Sequence, residues 1–273
     1  MKLALNGATT MKADLETDIR AAAEAGFDYL EIWAAKLRRF LASKTTEQLR
    51  ELFHEHGLKP YSINSIEHVT FRDASAHAQL LRECEELCRV ARDVDCPYIV
   101  VVPSPLPEGK DRSDVIEESA RVLDELGRMA EGFNVSLAFE FLGQPRCSVQ
   151  TLALAEEIVR ETARENVGLV IDSFHFYAGG STLESIERLD AQRLFIFHIN
   201  DAEDRPREEL QDSHRLLPGL GILPLKEIVG ALHDIGYDRV TSVEIFRPEY
   251  WERDPFELAR EAHKAAAAII HNS

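Results

Sequence analysis

The stretch Val167–Asn200, VGLVIDSFHFYAGGSTLESIERLDAQRLFIFHIN, decides the fold. It opens on VGLVID (Val167–Asp172), apolar until its terminal acid, and closes on LFIFHIN (Leu194–Asn200), apolar up to His198. Short apolar runs without polar alternation read as strands covered on both faces, the condition of a parallel sheet. Between them, Thr182–Leu189 has helical spacing, so the stretch is a strand–helix–strand unit.

The same unit recurs in both directions. Strands are expected at Lys2–Asn6, Tyr29–Trp33, Lys59–Asn64, Tyr98–Val102, Ser136–Glu140 and Val240–Ile245. Helices are expected at Asp14–Ala25, Thr46–His56, His77–Asp93, Ser113–Glu131, Val149–Thr162, Leu225–Asp234 and Pro255–Ile270. Eight strands alternating with eight helices predict an α/β fold of the (β/α)8 TIM-barrel type, with residues 1–273 forming a single domain. A doubly wound open sheet would more often carry a glycine-rich first βα turn; here that turn is Asn6-Gly7-Ala8-Thr9-Thr10. The connection 201–224 is long, charged and punctuated by Pro206, Pro218, Gly219, Gly221 and Pro224. Such a connection is usually functional or disordered, and in a barrel it sits on the catalytic face.

Composition narrows the partners. With 48 acidic against 31 basic residues, the net charge of −17 repels phosphate backbones and argues against nucleic-acid and anionic-membrane partners. No stretch approaches the roughly 20 apolar residues of a membrane span. The start of the chain has no secretory pattern, and Cys84, Cys88, Cys96 and Cys147 show no disulfide spacing, so a cytoplasmic protein with reduced thiols is expected. A homo-oligomer is left open.

The chemistry lies at strand ends. Four successive strands finish in a metal-ligand type: SLAFE (Glu140), VGLVID (Asp172), LFIFH (His198) and VTSVE (Glu244). Parallel barrel strands all end at one mouth, so these four residues should converge. Three carboxylates together would repel strongly, and a divalent cation removes that cost. Three carboxylates and an imidazole suit Mn²⁺, Co²⁺, Zn²⁺ or Mg²⁺. Taken singly, each residue has a bland reading: an ion-pair partner for either Glu, a helix cap for Asp172, a satisfied core histidine for His198. Their conjunction at the ends of four otherwise apolar strands favours one metal ion. His175, Arg215, Arg247, Asn6 and Glu31 are candidate substrate contacts on the same face; each reads equally well as an ordinary rim residue, and for Asn6 and Asn64 that is the better reading. Trp33 and Phe246 are either apolar walls or core, and His214 has no assigned role.

At these segments the chain resembles the sugar isomerases and epimerases of the xylose-isomerase-like barrels and, more narrowly, the inosose isomerases of inositol catabolism. The similarity runs from LNGATT nearly to the end of the chain and is most specific in FEFLGQPRCSV, NVGLVIDSFHFYAGGS, FIFHINDAED, RLLPGLG and SVEIFRPEYW. It implies that Glu140, Asp172, His198 and Glu244 bind one divalent metal and that Glu140 and Glu244 do the proton chemistry. It also implies a small keto-polyol substrate, with 2-keto-myo-inositol converted to 1-keto-D-chiro-inositol through an enediolate. Of the further contacts, His175 in the DSFH segment is the best supported. The nearest alternative is a ketose 3-epimerase or hydroxypyruvate isomerase. A more distant one is a trinuclear-zinc DNA-repair endonuclease of the same superfamily, echoed in Asp172-Ser-Phe-His175 and Asp212-Ser-His214. Against it, Glu31, Asn64 and Val102 stand where that family places histidines, and the basic footprint is missing.

Overall fold

Eight parallel strands close on themselves in the computed structural model, which describes residues 1–271. They are β1 (Lys2–Asn6), β2 (Tyr29–Trp33), β3 (Lys59–Ile66), β4 (Tyr98–Val101), β5 (Ser136–Glu140), β6 (Val167–Asp172), β7 (Leu194–Ile199) and, after two short strands described below, β10 (Val240–Val243). The order around the barrel is β1-β10-β7-β6-β5-β4-β3-β2, so sequence neighbours are spatial neighbours throughout. Register aligns the strand ends: Asp172 pairs with His198, His198 with Ser242, and Asn6 with Glu31.

The outer layer holds α1 (Leu15–Ala25), α2 (Ala34–Leu41), α3 (Thr46–Glu55), α4 (Ala74–Asp93), α5 (Arg112–Glu131) and α6 (Leu152–Glu161). It continues through α7 (Ser173–Ala178), α8 (Leu183–Glu187), α9 (Leu225–Asp234), α10 (Pro248–Trp251) and α11 (Pro255–Ile270). Caps explain where the boundaries fall. Asp14 accepts from Thr17 N at the start of α1, and Gly26 takes a left-handed φ of 91° at its end. Thr151 caps Leu154 N, which starts α6 three residues later than the apolar pattern indicates. Asp73 caps Ala76 N, which starts α4 three residues earlier. Helix α2 was not legible: it follows β2 directly, and Trp33 offers no capping side chain.

Two cores result. The larger lies between strands and helices, while Ala4, Tyr61, Val100, Val102, Ala138, Val170, Phe195, Ile196 and Val240 fill the barrel interior. The interior is therefore a packed plug beneath the mouth, not a pore. Gly168 on β6 has no room for a side chain, because a Cβ there would lie 2.4 Å from the Arg193 carbonyl oxygen. Near the first βα turn, Lys36 Nζ donates to Asp18 Oδ2 at 2.6 Å and to the Thr10 carbonyl at 2.8 Å, with both side chains fully buried. Lys36→Met would strand the Asp18 carboxylate, and the expected loss is about 3–5 kcal/mol, read from chemical denaturation. An unchanged midpoint and slope would show that the pair contributes nothing.

The segment after β7 folds back on itself. Strands β8 (Asp201–Ala202) and β9 (Arg215–Leu216) form an antiparallel ribbon. The Asp201 carboxylate, buried at 1% exposure, accepts from the backbone N–H groups of Gly219, Gly221 and Leu223 and so gathers the rest of the loop. The connection thus folds against the mouth, the face expected for a loop that follows a barrel strand.

Candidate metal centre and active site

Glu140 ends β5, Asp172 ends β6, His198 lies one residue before the end of β7, and Glu244 follows β10 directly. One ligand atom from each falls within 4.8 Å of all the others, and all four side chains are buried. Among the described residues this is the one cluster of three or more metal-ligand side chains.

The imidazole of His198 sits at the centre. Its Nδ1 is 2.9 Å from Glu140 Oε1 and 3.3 Å from Glu244 Oε2, while its Nε2 is 3.1 Å from both oxygens of Glu31. Burial alone would lower its pKa, but the carboxylates of Glu244, Glu31 and Glu140 outweigh that and hold it well above the ordinary value. The two glutamates differ. Burial, against the pull of His198 and with the push of Glu244, raises the Glu140 carboxyl to about 8. For Glu244 the burial cost is outweighed by His198 and Arg215, and its carboxyl is held below the usual range.

Contacts account for that split. Glu244 accepts from Asn6 Nδ2 at 3.0 Å, Asn64 Nδ2 at 2.9 Å and Arg215 Nη1 at 3.1 Å. Glu140, among the described residues, has His198 as its one hydrogen-bonding side chain. Asp172 does two jobs at once. Its Oδ1 caps α7 by accepting from His175 N, while its Oδ2 accepts from Arg215 Nη1 at 2.8 Å and Asn200 Nδ2 at 2.7 Å. The capping role and a place in the cluster are thus compatible, one oxygen serving each.

Above the cluster is a cavity of about 250 Å³. Trp33 and Phe246, in edge contact with ring centroids 5.5 Å apart, form its apolar wall, and His175, Arg215, Gln144 and Asp212 supply polar groups. Arg215 is buried at 1% exposure, between the rings of Phe174 and Phe246. Its Nη2 donates to His175 Nε2 at 3.0 Å, which puts the imidazole proton of His175 on Nδ1. That buried Nδ1 has no partner among the described residues, and burial holds His175 below its ordinary pKa, in the neutral form.

The other candidates are placed differently. Asn6 and Glu31 are fully buried beneath the cluster and do not line the cavity. Arg247 lies outside the lining as well: its guanidinium pairs with Glu203 and reaches the carbonyls of Ser213 and Arg215, tying the loop down. His214 closes a turn by accepting from Gln211 N. Asn200 and Gln144 were not singled out in the sequence, and Asp212 entered only through the Asp212-Ser-His214 echo of the endonucleases. Asn200 is one polar residue after a strand, and the Gln144–Asp212 hydrogen bond joins positions 68 residues apart. A larger cavity of about 860 Å³ lies at the opposite end of the barrel, against Tyr29, Lys59 and Pro97 at the strand starts, away from this chemistry.

A family model for the xylose isomerase-like TIM barrel matches residues 19–269. The inosose isomerase of Bacillus velezensis is 37% identical over 272 residues, covering 99% of this chain and 97% of that protein. The inosose isomerase of Bacillus subtilis is also 37% identical over 272 residues, with 99% and 98% covered. A crystal structure of the IOLI protein with a zinc atom bound superposes with a TM-score of 0.97 at 36% identity, covering 100% of this chain and 99% of that one. Closed barrel, converging strand ends and near-full-length similarity agree: the chain belongs to the xylose isomerase-like TIM barrel family and, within it, to the inosose isomerases.

Proposed function

We propose that Glu140, Asp172, His198 and Glu244 hold one divalent cation of the Mn²⁺, Co²⁺, Zn²⁺ or Mg²⁺ class, and that the site above it isomerises a keto-inositol. The observation that carries the reading is the gathering of three buried carboxylates and one imidazole within 4.8 Å at the floor of a cavity. Without a cation so many buried acids would be costly, and this donor set is the one such ions accept. When bound, such an ion would supply the Lewis acidity that makes the hydroxyl-bearing carbon beside a ketone more acidic.

The protein's own groups do the rest. Glu140, which has a single side-chain hydrogen-bond partner, is suited once ionised to take a proton from the hydroxyl-bearing carbon and return it to the former carbonyl carbon. Glu244, held as a carboxylate by Asn6, Asn64 and Arg215, accepts the hydroxyl proton and delivers it to the former carbonyl oxygen, which becomes the new hydroxyl. His175 offers its unpartnered Nδ1–H to a substrate oxygen. Trp33 and Phe246 face the apolar C–H edge of a polyol ring. The cavity is smaller than the roughly 300–1,000 Å³ of drug-sized pockets, in keeping with a small polyol and a single-domain barrel.

The test is incubation of metal-loaded protein with 2-keto-myo-inositol in heavy water, followed by NMR. Ketone migration is the expected result. Turnover of free ketohexoses with none of inososes would replace this reading with the epimerase one.

Metal affinity should depend on pH. Glu140 and His198 both hold protons near neutrality in the metal-free protein, and a cation must displace them. Both pKa values are raised, so affinity is expected to climb as pH rises from 6 through 8. Chelator-competition titrations across that range, with proton release followed in two buffers, check the sign. A flat profile contradicts it.

A further inference from the structure

Glu31 is a further buried carboxylate beside the four-residue cluster and has no place in it. It sits at the middle of β2, completely buried, pointing into the barrel beneath the mouth. A buried carboxylate is tolerated only where its charge and lone pairs are matched. Here the match is specific. Asn64 Nδ2 donates to Oε1 at 2.9 Å, and His198 Nε2 lies 3.1 Å from each carboxylate oxygen, so the imidazole edge is shared between the two. The opposite edge of the same ring presents Nδ1 to Glu140 and Glu244.

We propose that Glu31 is a positioning residue acting through His198: by holding the Nε2 proton it fixes the ring and its tautomer, so that the Nδ1 lone pair faces the cation site between Glu140, Asp172 and Glu244. A neutral imidazole can carry its proton on either nitrogen, and the hydrogen bond made by one nitrogen decides what the other can do. An anionic acceptor on Nε2 also makes Nδ1 the stronger donor to a metal. Asn64 serves both carboxylates, bonding Glu31 Oε1 and Glu244 Oε1, which ties the orientation of the ring to that of the second glutamate. Glu31 therefore has a role distinct from touching substrate. The inference rests on the metal-site reading above.

Three measurements test it. In wild-type protein loaded with Zn²⁺, ¹⁵N-edited NMR of His198 should report the Nε2–H tautomer with Nδ1 bound to metal; an Nδ1–H tautomer overturns the proposal without any variant. Zn²⁺ competition with a chelator should show Glu31→Ala binding about 10–100-fold more weakly than wild type, the usual cost of losing an outer hydrogen-bond partner. Glu31→Gln, whose amide oxygen still accepts from Nε2, should recover part of that loss. Folded variants with wild-type Zn²⁺ affinity and an unchanged His198 spectrum overturn the role. A wild-type protein that holds no Zn²⁺ is a different result: it overturns the reading of the centre itself.

Discussion

Glutamine in place of Glu140 is expected to lower kcat/KM on an inosose by about 10²–10⁴-fold, the usual span for a positioned general acid–base group. The substitution keeps the side chain's shape while removing the proton acceptor. Glu140 is the sensitive position because it is the less restrained of the two glutamates; Glu244 is already engaged by Asn6, Asn64 and Arg215. Metal content measured on the same preparation separates lost proton transfer from lost cation. Full occupancy with low turnover supports the assignment; full occupancy with undiminished turnover removes Glu140 from the mechanism.

Asp172→Asn combined with His198→Ala should abolish divalent-cation binding and inosose turnover together. Asparagine still caps α7, so the helix after β6 keeps its start. Two carboxylates remain, too few to retain an ion against competing water and chelator. Lewis-acid stabilisation is worth several kcal/mol, or roughly 10³-fold or more in rate. The measurements are metal per chain by mass spectrometry and turnover before and after chelation and re-addition. Retention of an ion by the double variant would show that the cation sits elsewhere.

Much of the centre was legible because it depends on strand direction. In a parallel barrel all C-terminal ends share one mouth, so ligand types at the ends of four successive apolar runs are enough to anticipate that Glu140, Asp172, His198 and Glu244 meet. How the surrounding residues reach them was not legible. Arg215, 43 residues after Asp172, reaches it only because the β8–β9 ribbon folds back over the mouth, and that ribbon is set by Asp201 binding three backbone N–H groups. Arg247 follows Glu244 by three residues yet turns outward to Glu203, since no periodicity governs side-chain direction in a loop. Asn200 falls in an equally uninformative position and still bonds Asp172.

The amino-acid order alone determined the architecture and the identity of the clustered side chains, because apolar periodicity and strand polarity are local properties that a barrel propagates without further information. Only the tertiary structure decided how the two glutamates differ, which nitrogen of His198 faces the cluster, and that Glu31 lies behind the imidazole instead of in the pocket. Those outcomes depend on burial and on contacts across tens to hundreds of residues, and a hydrogen bond between Asn6 and Glu244, 238 positions apart, leaves no trace in the sequence around either one.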